Sequence, residues 1–139
     1  MSLLNHELIH FFVTFAIAIF VYWKYKKISL VIVVFAIGIF LDLDHLIDLY
    51  ISGGNLSQIT QGLYFSASGK VYVLFHSWEL LIPWWIYILY SRKYDLGWTV
   101  TLAFVAHILI DQFSYQTYPT TYFLTSRIIN KFNLGEIFR

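Results

Sequence analysis

Four apolar runs alternate with short polar breaks along the chain. The first covers about residues 3–23 and, Thr14 aside, is wholly apolar from Phe11 to Trp23. The second covers about 28–51, and between Ile28 and Leu41 its one polar residue is Ser29. The third, about 71–90, contains Pro83, whose missing N–H predicts a kink in mid-helix. The fourth covers about 96–116, and Pro119 breaks the chain after it. A membrane-crossing helix needs about 20 apolar residues. The pattern therefore predicts an all-α polytopic membrane protein, with a four-transmembrane-helix bundle over residues 1–116. In the tail, residues 117–139, Tyr122, Phe123, Ile128, Ile129 and Phe132 recur at helical spacing around Arg127 and Lys131. That spacing predicts an amphipathic helix lying at the membrane interface. The Gly/Ser-rich stretch 52–70 is long for a connection in a compact bundle and is expected to be functional or mobile.

Composition agrees with this pattern. Of the 139 residues, 59% are hydrophobic and 12% charged, with a mean hydropathy of +0.67. Soluble domains carry about 25% charged residues. A net charge of +1 gives no basic field for nucleic acid. Cysteine is absent, so any metal must be held by His, Asp and Glu. The first run has no basic segment before it and no small-residue cleavage site, so it reads as a retained helix and not a signal peptide.

The polar residues inside the runs are not scattered. Odd-numbered runs carry them at the start and even-numbered runs at the end. In an up-down bundle, His6, Glu7, His10, Asp42, Asp44, His45, Asp48, His76, Glu79, His107 and Asp111 then share one end. The opposite end carries the turns Lys24–Lys27 and Arg92–Lys93, with the aromatic belt Tyr22, Trp23 and Tyr25. The positive-inside rule makes that basic end cytoplasmic. The expected location is the cytoplasmic (inner) membrane, with the polar cluster toward the extracytoplasmic side.

Ionisable residues within a span are costly and mark functional sites. On a helix, Asp42, His45 and Asp48 follow at i, i+3 and i+6, with Asp44 beside Asp48, all within an arc of roughly 160°. His107 and Asp111 stand one helical turn apart, and His76 and Glu79 form an i, i+3 pair. Imidazoles and carboxylates converging in this way suit a divalent metal. His6-Glu7-Leu8-Ile9-His10 also matches the H-E-x-x-H pattern, in which two His bind zinc and the Glu acts as base.

An early His in the first run, D-x-D-H at the end of the second, H-S in the third and H-x-x-x-D in the fourth together resemble a known family. It consists of small bacterial and archaeal inner-membrane-associated proteins described as metal-dependent hydrolases and regarded as distant relatives of zinc-dependent phospholipase C. The resemblance spans about residues 5–111. The matching positions are His10 (or His6), Asp42, Asp44, His45, His76, His107 and Asp111. In the third element the family carries more basic and histidine-rich sequence than His76-Ser77-Trp78-Glu79.

These readings give a set of expectations. His6, His10, Asp42, Asp44, His45, His76, His107 and Asp111 would hold one or two divalent ions, with Zn²⁺ favoured. Two ions sharing a carboxylate would use this many ligands better than one. The reaction would be hydrolysis of a phosphoester in a membrane lipid or lipid-linked phosphate. Glu79 would be the general base, ahead of Glu7. The rival readings are an H-E-x-x-H intramembrane protease, a non-enzymatic metal- or proton-binding membrane protein, and a scaffold whose polar cluster is structural.

Overall fold

The computed structural model describes residues 3–51, 53–55, 57, 69–115, 117–133 and 135. Most of the stretch 52–70, and residues 134 and 136–139 of the tail, lie outside the described residues. The described residues are helical, with no strand among them. In order they form α1 (Leu3–Tyr25), α2 (Ile28–Phe40), α3 (Leu43–Ile51), a 3₁₀ turn (Trp78–Leu80), α4 (Leu81–Ser91), α5 (Tyr94–Ser114) and α6 (Leu124–Ile129).

Among the described residues, three segments are long and apolar enough to cross a membrane: Leu4–Tyr25, Ile28–Ile51 and Tyr94–Ser114. The second comprises α2 and α3, joined through a turn at Leu41 and Asp42. There the N–H groups of Asp44 and His45 bond to the carbonyls of Leu41 and Asp42, at 3.3 and 3.2 Å. Those i→i+3 bonds tighten the helix by a fraction of a turn and set Asp42 at the corner. Helices α1, α2 and α5 pack around Ala18, Val21, Leu30, Val34 and Ala103.

The run 71–90 differs from the expected continuous helix. Residues 71–77 are irregular, and α4 proper has only 11 residues, about 16 Å of rise. Pro83 makes no mid-helix kink. It lies in the first turn of α4, where its missing N–H would have no helical partner in any case. α4 returns against α5 at a close approach. A Cβ on Gly97 would come within 2.7 Å of Ile88 Cγ2, so only glycine fits there. The tail also differs from the expectation of a long interfacial helix. α6 has six residues and turns Arg127 inward, while Ile128 and Ile129 are exposed.

The two basic turns share one end of the molecule, where Lys27 Nζ donates to Asp95 Oδ2 at 2.5 Å. Burial is the reverse of a water-soluble fold. Phe11, Phe12, Ile19, Ile32, Ile39 and Ile86 are exposed, whereas His6, His10, Asp44, Asp48, His76, His107 and Asp111 are buried. Exposed apolar surface on long apolar helices around a polar interior is the arrangement a lipid solvent favours.

Candidate metal centre

Two of the long helices and one irregular segment bring the histidines together. On α1, His6 and His10 are one turn apart and so face the same way. Their Nε2 atoms are 3.1 Å from each other, and 3.2 and 2.9 Å from Asp111 Oδ1 on α5. His107 lies one turn before Asp111. Its Nε2 is 3.2 Å from Nε2 of His76 and 3.2 Å from Asp42 Oδ1. The second oxygen of Asp111, Oδ2, is 3.2 Å from His76 Nε2 and 3.5 Å from His107 Nε2. One carboxylate thus faces two pairs of imidazoles, a different pair with each oxygen.

These separations fit ligands converging on an ion. Two nitrogens bound tetrahedrally at about 2.05 Å would stand about 3.3 Å apart. Asp111 Oδ2 is buried and has no hydrogen-bond partner among the described residues. A carboxylate oxygen left in that state is costly unless a cation answers it. Among the described residues, three groups have ligand atoms close enough to hold a metal ion: His6/His10/Asp111, Asp42/His76/His107 and Asp44/His45/His76.

The third group shares His76 with the second, and the contacts of Asp44 distinguish them. Asp44 Oδ2 accepts from the backbone N–H of Phe75 at 2.7 Å and of His76 at 3.3 Å. It also lies 3.1 Å from His76 Nδ1. Such a carboxylate fixes the tautomer and aim of an imidazole whose other nitrogen points at a metal. The His45 ring lies 4.9 Å from that of His76, tilted by 47°, and its Nε2 is 3.9 Å from Asp42 Oδ1. All eight sequence-predicted metal residues therefore come together in one cluster.

The two predicted catalytic carboxylates do not sit together. Glu79 accepts from the backbone N–H groups of Leu124 and Thr125, each at 2.9 Å, and so caps α6. Glu7, by contrast, lines a cavity of about 380 Å³ together with His10 and Asp42.

Nothing in the sequence marks Arg127, yet it holds His76 in place. It is fully buried. Nη1 donates to the carbonyls of Tyr72 at 3.1 Å and Val73 at 2.6 Å. Nη2 donates to the carbonyl of His76 at 3.0 Å and also contacts Ser77 Oγ. From the other side, Asp48 Oδ1 accepts the N–H of Tyr72 at 3.2 Å. Irregular backbone beside apolar helices must find such partners or bear the cost of unmet polar groups. Arg127 and Asp48 therefore belong to the scaffold of the site.

No protein-family model, curated protein or solved structure matches the chain.

Proposed function

We propose that this protein is a membrane-embedded, metal-dependent hydrolase of phosphoesters in a lipid or lipid-linked substrate. The observation that carries this reading is the Asp111 carboxylate, with one oxygen toward His6 and His10 and the other toward His76 and His107. That is the donor set of a two-ion site with a bridging carboxylate. One ion would take His6, His10 and Asp111. The other would take Asp42, His76, His107 and Asp111, with Asp44 orienting His76 and His45 flanking it. Nitrogen and oxygen donors without thiolate suit Zn²⁺.

Divalent ions held there would supply the means to polarise a phosphoryl oxygen and to make water nucleophilic near neutral pH. Glu7 is the carboxylate beside the cluster that is open to the adjoining cavity, so it takes the proton of the attacking water. Glu79, occupied at the cap of α6, serves the fold. The apolar helices support a membrane location, which we take to be the cytoplasmic membrane. The positive-inside rule turns the cluster outward. The chain would cross four times, with 78–91 as a short third crossing.

The trio His6/His10/Asp111 is also the His₂–carboxylate set of an H-E-x-x-H protease. That reading leaves His76, His107 and Asp42 without a task. An ion pathway is disfavoured by the apolar layer of Val21, Leu30, Val34 and Ala103 below the cluster. The test is metal analysis of the purified protein, together with phosphate release from phosphatidic acid in vesicles. About two zinc equivalents per chain and release abolished by His107→Ala would support the proposal. Peptide cleavage without phosphate release would replace it with the protease.

A further inference from the structure

Two cavities lie along the α1–α2 pair, and we take them together as one furrow, of which the cavity beside the cluster is the first part. Its polar end is formed by Glu7, His10 and Asp42, and its walls by Phe11, Phe35 and Ile39. Phe11 is 55% exposed and Ile39 63%, so the walls open sideways and not toward a protein core. Thr14 and Gly38 meet at its floor. A Cβ on Gly38 would be 2.9 Å from Thr14 Oγ1, so the glycine lets the two helices approach while leaving the surface recessed. Further along the same helix pair, a second cavity of about 430 Å³ is lined by Phe15, Ile19, Tyr22 and Val31, among others, with Lys26 at its far end. The lining positions Phe11, Phe15, Ile19 and Tyr22 succeed one another at intervals of three or four, and so do Ile28, Val31, Phe35 and Ile39. Each series is one helical stripe.

We propose that this furrow seats the hydrocarbon chain of a membrane lipid phosphate, with the phosphate at its Glu7–His10–Asp42 end. The proposal rests on the hydrolase reading for the headgroup and on the furrow itself for the chain. α1 and the α2–α3 segment that form it are each long and apolar enough to cross a membrane, so the solvent along its open side is lipid. An amphiphile matches a cleft that is ionisable at one end and apolar along the rest. A soluble phosphate ester would leave the apolar length unfilled, and a peptide would bring backbone N–H and C=O groups that find no partners on Phe11, Phe35 and Ile39. Substrate thus enters sideways from the bilayer, without leaving it.

The test uses the whole zinc-loaded chain in phosphatidylcholine vesicles doped with phosphatidic acid bearing a diazirine at one acyl terminus. Photolabelled residues are mapped by peptide sequencing. Labelling should concentrate on the α1–α2 furrow and exceed that from the same diazirine on phosphatidylcholine at equal mole fraction. Ile39→Trp should cut furrow labelling at least about threefold while zinc content stays at the wild-type level. Phe11→Trp, from the opposite wall, is the second variant should the first fold poorly, and Ile86→Trp on the outer face of α4 should change nothing. Even labelling over all exposed helix faces, or furrow labelling that ignores both tryptophans, overturns the proposal. Focused labelling without phosphate release would retain the furrow and remove the hydrolase reading. Phosphate release with even labelling would do the reverse.

Discussion

His10 Nε2 and Asp111 Oδ1 stand 2.9 Å apart although 101 residues of chain separate them. The contact ties the first helix to the last long one, and through Asp111 Oδ2 it reaches His76 and His107 as well. One side chain therefore serves both halves of the centre, and replacing it should not behave like replacing a single ligand.

Asp111→Asn should lower bound zinc from about two equivalents to less than one, whereas His6→Ala should remove about one. Elemental analysis of each purified variant in the same detergent decides this. If Asp111→Asn and His6→Ala lose the same amount, the bridging role is wrong.

Asp44 is predicted to act through His76 and not as a ligand. Among the site's imidazoles, those of His6, His10 and His107 have buried Nδ1 atoms without hydrogen-bond partners among the described residues. His76 has Asp44 at that atom. Asp44→Asn should therefore leave the zinc stoichiometry intact and weaken affinity about 10–100-fold, as read by competition with a chelating dye. Outright loss of one equivalent would make Asp44 a ligand.

The two glutamates should separate cleanly. Glu7→Gln should keep its metal and lose turnover of a lipid phosphate by about 100-fold or more, the usual share of a general base. Glu79→Ala should keep turnover within a few-fold and cost about 0.5–2 kcal/mol of stability through the lost cap, seen as a lower melting temperature. The opposite assignment of effects would return the base to Glu79.

Sidedness can be read directly in a chain without cysteine. An impermeant thiol reagent applied to intact cells should label Ser57→Cys and spare Lys93→Cys, following the basic turns that Lys27 and Asp95 join. Labelling of position 93 alone would invert the protein in the membrane.

The sequence shows α1, α2 and α5 clearly because lipid-facing helices need long apolar runs and little else. The cluster was legible for the same reason, since each His or Asp interrupts such a run. The irregular stretch 71–77 was not legible. Val71, Val73, Leu74 and Phe75 are as apolar as any span, and what keeps them from being a helix lies elsewhere, in Asp44, Asp48 and Arg127. Hydrophobicity reports where a segment is at home, not how its backbone is bonded. Glu79 is the matching case. One turn after a histidine it looked like chemistry, yet its partners are the amides of Leu124 and Thr125, 45 and 46 residues further on.

The dependence of His76 on Arg127 has a consequence in time. The segment 71–77 leaves the ribosome before residue 127 does. Until then the carbonyls of Tyr72, Val73 and His76 have no guanidinium to bond, and the segment that carries His76 belongs at the water interface. An ion that arrived then would meet His6 and His10 on α1 before His76 is fixed in place. Order of synthesis thereby becomes order of maturation, and a chain halted short of Arg127 would enter the bilayer with half a centre.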